Sequence, residues 1–139
     1  MNQYQDCIIF LLAKANQGAQ GLFKKKLKSY GLTTVQHLIL EALWNEDGLT
    51  AGDIVKRLVL DHATVSGVVD RMSDSGWIVK KIDREDKRYI RVHLSKKARK
   101  LKDSLIHERE RANEELLENL SLEEKLLLKR LLRDLQPET

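Results

Sequence analysis

Two stretches of the chain hold side chains whose types and spacing suit a polyanion. The first is Asp83-Arg84-Glu85-Asp86-Lys87-Arg88, a run of consecutive charges. Its cations Arg84, Lys87 and Arg88 suit the strong negative potential of a narrow DNA minor groove. A solvated turn would carry the same residues, so their position must decide. The second stretch is Asp61 to Ser75. There Val65, Val68, Val69 and Met72 recur at helical spacing and form one apolar stripe. A helical projection at about 100° per residue puts Ala63, Gly67 and Asp70 opposite that stripe. Thr64 and Arg71 flank them on one side and Ser66 on the other. His62, Thr64 and Ser66 can hydrogen-bond base edges or phosphates, Ala63 can meet a thymine methyl, and Arg71 can reach a phosphate. Small residues at 63 and 67 allow close approach to a groove. An ordinary amphipathic surface helix would look much the same.

Other chemistries find little support. Cys7 is the only cysteine, so there is no intramolecular disulfide and no paired-thiol metal or redox site. His37, His62, His93 and His107 show no ligand spacing. Neither a phosphate loop nor a nucleophile–base constellation is present. The expectation is a protein that is not an enzyme, with no metal and no cofactor. The longest apolar run near the N-terminus, Ile8 to Ala13, is too short to span a bilayer. A cytoplasmic protein with no membrane partner is expected.

The 139 residues are a single-domain length, large enough for a core without disulfides or metals. The 42% hydrophobic and 33% charged fractions exclude a disordered chain. One Pro and seven Gly suit long helices better than a loop-rich β fold. The net charge of +4 is unevenly placed. Residues 50–100 hold 13 basic and 7 acidic side chains, a net +6, whereas residues 101–139 hold 7 and 10, a net −3. A basic middle between a near-neutral head and an acidic tail is consistent with a polyanionic partner.

The elements that must position these residues can be read from periodicity. Ile8, Leu11, Leu12, Ala15, Ala19, Leu22 and Phe23 predict one helix over residues 3–29, stopped by Tyr30-Gly31. A second helix starts at Thr33 or Thr34 and ends at Asn45-Glu46-Asp47-Gly48. Thr50 and Asp53 form a capping-box pattern for a short helix carrying Ile54, Val55 and Leu58. Asp61 caps the next. Two short helices joined so tightly are the helix-turn-helix pattern. Residues 77–82 and 89–94 read as strands, with Ile78, Ile82, Ile90, Val92 and Leu94 sharing a buried face. The charged run is then the tip of a hairpin, a wing. Ser95 caps a long helix to about Asn119 with sparse apolar positions, and Ser121 with Glu124 opens a leucine-rich final helix. That final apolar face calls for packing against the first helix and their copies in a second subunit; an intrachain three-helix bundle is the competing arrangement.

These elements together resemble the MarR family of winged helix-turn-helix transcriptional regulators, over almost the whole length. The carriers are GLTTVQHLILEALW (Gly31 to Trp44), LTAGDIVKRLVLDHATVSGVVDRMSDSGWIVK (Leu49 to Lys80), DREDKRYIRVHLS (Asp83 to Ser95) and the following KKAR. The resemblance implies a mainly α fold with a small β-wing. Residues 1–30 and 95–139 would be dimerisation helices and 31–94 the DNA-binding lobe. It implies a homodimer on double-stranded DNA with a pseudo-palindromic operator, acting as a repressor. His62, Ala63, Thr64, Ser66, Gly67 and Arg71 would serve the recognition helix, and Arg84, Lys87 and Arg88 the wing. Asp86 would orient a wing arginine. Family members often take a small aromatic or phenolic anion as effector; here that pocket would involve Ala15, Ala19, Phe23, His37 and Trp44. Some relatives sense peroxides through a cysteine early in the first helix, with tyrosines on the second. This chain has Thr33, Thr34 and His37 there, so Cys7 is expected to be a small buried apolar residue. A winged-helix module for protein–protein assembly, without specific DNA binding, is the alternative function.

Overall fold

The protein is represented by a computed structural model that describes residues 3–138. Helix α1 (Ile8–Leu27) is flanked by single 3-10 turns at Tyr4–Asp6 and Lys28–Tyr30. The helix expected over 3–29 is thus an α-helix that starts at Ile8, after an extended Cys7 that parts it from the first turn, and tightens at its C-terminal end. Gly31, at φ 69°, turns the chain out of it. Helix α2 (Thr34–Asn45) starts on a reciprocal cap in which the Thr33 hydroxyl accepts from the Gln36 N–H and the Gln36 side chain accepts from the Thr33 N–H, both at 3.1 Å. This satisfies two of the donors that every helix start leaves open.

Next come β1 (Leu49–Thr50), α3 (Ala51–Arg57) and α4 (His62–Asp74). The hairpin strands are β2 (Ile78–Ile82) and β3 (Ile90–Leu94). The sheet order is β1-β3-β2, antiparallel throughout, with Leu49 opposite Val92 and Ile82 opposite Ile90. The third strand, β1, was not expected from the pattern, because two residues carry no period. Gly48 makes it possible. Its φ is +77°, and a Cβ there would sit 3.1 Å from the His93 ring, so both the backbone and the space require glycine.

The core lies where α2, α3, α4 and the sheet meet. Leu27, Ile39, Leu40, Leu43, Ile54, Val65, Met72, Trp77, Ile78 and Val92 are all buried there. The alternation in β3 delivers Val92 to this core. Ile82 and Ile90 share its face but lie beyond the last core residue, and they are 66% and 52% exposed. The expectation that they are buried is corrected: the hairpin outruns the helices that could cover it.

After the sheet the chain forms α5 (Lys96–Lys100), α6 (Lys102–Leu116) and α7 (Leu122–Asp134). The single long helix expected from Ser95 is broken at Leu101. The break lets α5 pack on β3 while α6 runs along α1. Leu105 and Ala112 are the buried residues of α6, and Lys26 forms an ion pair with Glu115 across the same contact. No residue of α7 is buried; Leu122, Leu126, Leu127, Leu131, Leu132 and Leu135 are exposed, as are Ile8, Ile9, Leu11 and Leu12 of α1. The terminal helices therefore do not close into an intrachain bundle. Cys7 precedes α1 and is exposed in the single chain, against the expectation that it is buried.

Candidate nucleic-acid interface

The helix pair is built from local hydrogen bonds. Thr50 and Asp53 cap α3 reciprocally, at 3.1 Å in each direction. Asp61 caps α4: its Oδ1 accepts from the Thr64 N–H at 2.7 Å and its Oδ2 from the Thr64 hydroxyl at 3.0 Å. The Thr64 backbone N–H, then its hydroxyl, hold the Asp61 carboxyl below its ordinary range, so the cap stays ionised. Thr64 is half-buried with its hydroxyl proton spent on the cap. It can offer a groove an acceptor and a methyl.

Helix α4 buries Val65, Val68, Val69 and Met72 and leaves His62, Ala63, Ser66, Asp70 and Arg71 exposed, as the periodicity requires. Gly67 is half-buried although it faces outward, because the Arg71 guanidinium lies over it. Asp70 does not stand free on this face. Its Oδ1 accepts from Lys80 Nζ of β2 at 2.7 Å.

The wing is held at its base and at its tip. At the base, Arg91 Nε donates to Asp83 Oδ2 at 3.0 Å and Nη1 donates to the Gly48 carbonyl at 2.8 Å. One guanidinium thus joins β3, the tip and the turn before α3. At the tip, Arg88 holds Asp86 through Nε at 3.0 Å and Nη2 at 2.8 Å, as a fork on a carboxylate. Arg88 lowers the Asp86 pKa, and Asp86 raises that of Arg88. The Glu85 N–H, and after it Arg91, lowers that of Asp83. Two of the tip's three carboxylates are thereby engaged by arginines within the wing. Arg84 and Lys87 are exposed and have no ion-pair partner among the described residues. Among the described residues these two free cations outnumber the one unpaired carboxylate of the tip, Glu85.

Sequence reasoning picked out the outward residues of α4 and the wing cations as one set, and the fold puts them on one lobe. It missed Asp70, Lys80, Asp83 and Arg91, which set the wing against the helix. Their partners lie 8 to 43 residues away, so no local signal marks them.

A second region corresponds to the expected effector pocket. Phe23 meets His37 edge-on at 4.8 Å between ring centroids, and His37 meets Trp44 at 5.7 Å. Trp44 Nε1 donates to the Ala98 carbonyl at 3.2 Å, a structural bond to α5. An open cleft of about 740 Å³ lies against Phe23 and His37, bordered also by Asn16, Gln20, Glu41 and Arg109. Ala15, Ala19 and Trp44 do not line it. Glu41, one helical turn from His37, and Arg109 of α6 take their place; Arg109 Nη1 donates to Glu41 Oε1 at 2.6 Å. His37 is 1% exposed, and its Nε2 has no hydrogen-bond partner, with Glu41 Oε1 3.6 Å away. Burial, then the Arg109 charge, lowers the His37 pKa to about 4.

Comparison with known proteins places this architecture. The MarR family profile matches residues 30–88. The HTH-type transcriptional regulator TtmR of Methylorubrum extorquens is 35% identical over 83 residues, 60% of this chain and 43% of TtmR. The HTH-type transcriptional regulator MgrA of Staphylococcus aureus is 30% identical over 99 residues, 70% of this chain and 67% of MgrA. The chain thus matches less than half the length of the first relative and two-thirds of the second. A mutant MarR from E. coli, solved in complex with operator DNA, superposes with a TM-score of 0.89 over 99% of this chain and 100% of that one. Its sequence identity is 22%, so that likeness is one of fold. From the helix pair through the wing, in sequence and in architecture, the chain belongs to the MarR family of winged helix-turn-helix transcriptional regulators.

Proposed function

We propose that the chain is a sequence-specific DNA-binding repressor that works as a homodimer on a pseudo-palindromic operator. The observation that carries this reading is the joining of α4 to the wing through Asp70 and Lys80. It ties the outward face of α4 to the strand that leads to the cations Arg84, Lys87 and Arg88. His62, Ala63, Thr64, Ser66, Gly67 and Arg71 face the major groove and the wing faces the adjoining minor groove. The operator complex of E. coli MarR, which shares the fold, supports the same use of this lobe.

The exposed leucines of α7 and the apolar start of α1 support the dimer. Contiguous apolar surface of that kind marks an interface, and a second copy of residues 1–30 and 95–139 covers it. The cleft beside His37 takes a small aromatic or phenolic anion as effector. Phe23 offers the ring contact, and the Arg109 guanidinium, shared with Glu41, offers the charge. The cleft lies between α1, α2 and α6, so occupancy there biases the spacing of the two lobes.

Selection of duplexes from a random pool tests the function. The expected result is a symmetric motif with half-sites about one helical turn, ~34 Å, apart, and an affinity that falls steeply with salt. Failure to retain any duplex at low salt overturns the reading and leaves the assembly module in its place.

A further inference from the structure

We propose that Arg71 is a specificity-determining residue that reads a guanine, and that Gly67 is the seat that aims it. This rests on the DNA-binding reading above. On the helical projection Arg71 lies at the flank of α4, where a lysine or arginine would ordinarily grip a phosphate. The folded side chain goes elsewhere. An ideal Cβ on Gly67 would lie 3.5 Å from Arg71 Nη1 and 4.0 Å from Nη2. Both terminal nitrogens thus lie over residue 67, one helical turn back along α4. Helical side chains lean toward the N-terminus, and one turn moves the fork about 5.4 Å that way. It therefore rests over Gly67, nearer the middle of the exposed face than the Arg71 backbone is. A longer side chain at 67 would occupy this place.

The fork is also uncommitted. Asp70, the adjacent carboxylate, is held by Lys80 at 2.7 Å. No ion pair to Arg71 exists among the described residues, whereas Arg88 is paired with Asp86 and Arg91 with Asp83. Arg71 thus presents planar N–H donors on the groove-facing side of the helix. That geometry matches the paired acceptors O6 and N7 of guanine in the major groove, which a planar fork meets with two pre-organised donors at once.

The test uses the full-length protein, the selected duplex, versions with each G·C pair exchanged for A·T, and a random duplex. For the unsubstituted protein, one exchange per half-site should weaken binding about tenfold or more. Arg71→Lys keeps the charge and loses the fork. It should narrow the gap between the selected and exchanged duplexes, because a single ammonium holds the two acceptors less firmly than a fork. Arg71→Ala should lose the same preference. Arg71 is exposed, and thermal melting verifies that both variants fold. Two results overturn the assignment alone. One is a preference retained at every G·C pair in Arg71→Ala. The other is an equal loss on all duplexes in Arg71→Ala, with the salt slope reduced by about one, the mark of a phosphate contact. Absence of duplex binding by the unsubstituted protein overturns the DNA-binding reading, and this assignment with it.

Discussion

Lys80 Nζ lies 2.7 Å from Asp70 Oδ1, joining the first wing strand to the exposed face of α4. Both side chains are partly exposed, so the pair adds at most about 1 kcal/mol to stability. Its interest is geometric, because it bridges the two surfaces that would meet DNA. Asp70→Asn removes a negative charge from that surface and releases Lys80. If only charge mattered, binding would strengthen. The expected result is weaker binding to the preferred duplex, by about two- to fivefold, with equal or stronger binding to random DNA. Tighter binding to both duplexes in a titration would show that the pair positions nothing.

Arg88 tests the wing tip. Its side chain is 84% exposed, paired with Asp86 and lying over the Tyr89 ring. Arg88→Ala should leave the melting temperature within about 1 °C of the unsubstituted protein, as for other surface substitutions. Affinity should fall by similar factors on preferred and random duplexes, and the salt slope should drop by about one. Affinity measured by anisotropy and found unchanged would remove the tip from the interface.

His37 makes stability depend on pH. Its ordinary pKa of 6.5 is lowered to about 4 in the fold by burial and by Arg109. Below its ordinary value the unfolded chain takes up a proton that the folded chain refuses. The stabilisation is therefore complete above about pH 6.5 and is lost as pH falls toward 4, on the order of 3 kcal/mol in total. His37→Gln should flatten the slope of unfolding free energy against pH in that window, as measured by urea titration. An unflattened slope would place the titration on another group.

The terminal helix tests the dimer. No residue of α7 is buried in the single chain, so removing it costs a lone subunit little. A chain ending before Ser121 should run as a monomer in light scattering, with lower melting temperature and loss of tight operator binding. A truncated chain that remains a stable dimer would place the subunit interface elsewhere.

Much of the DNA-binding lobe was legible in the sequence because its signals are local. A cap joins residues three positions apart, as Thr50 to Asp53 and Asp61 to Thr64 do. An apolar stripe repeats every three or four, as Val65, Val68, Val69 and Met72 do. A charged run between two alternating segments marks a turn. The cleft beside His37 was only half legible. Phe23 and His37 lie on it, but Arg109 comes from a helix 68 residues beyond its partner Glu41, and no spacing announces such a meeting.

By itself the sequence determined the starts of α2, α3, α4, α5 and α7, the tight helix pair, the hairpin with its cationic tip and the unpaired apolar face of the last helix. Each follows from bonds or periodicities spanning a few residues. Only the tertiary structure decided that Leu49 pairs with Val92, that Leu101 breaks the long helix and that Ile82 and Ile90 overrun the core. It also decided that Arg91 bolts the wing to Gly48, and that Arg71 lies over Gly67 rather than at the helix flank. Those outcomes depend on which surfaces remain uncovered once the elements pack, a property of the whole arrangement and of no single stretch of it.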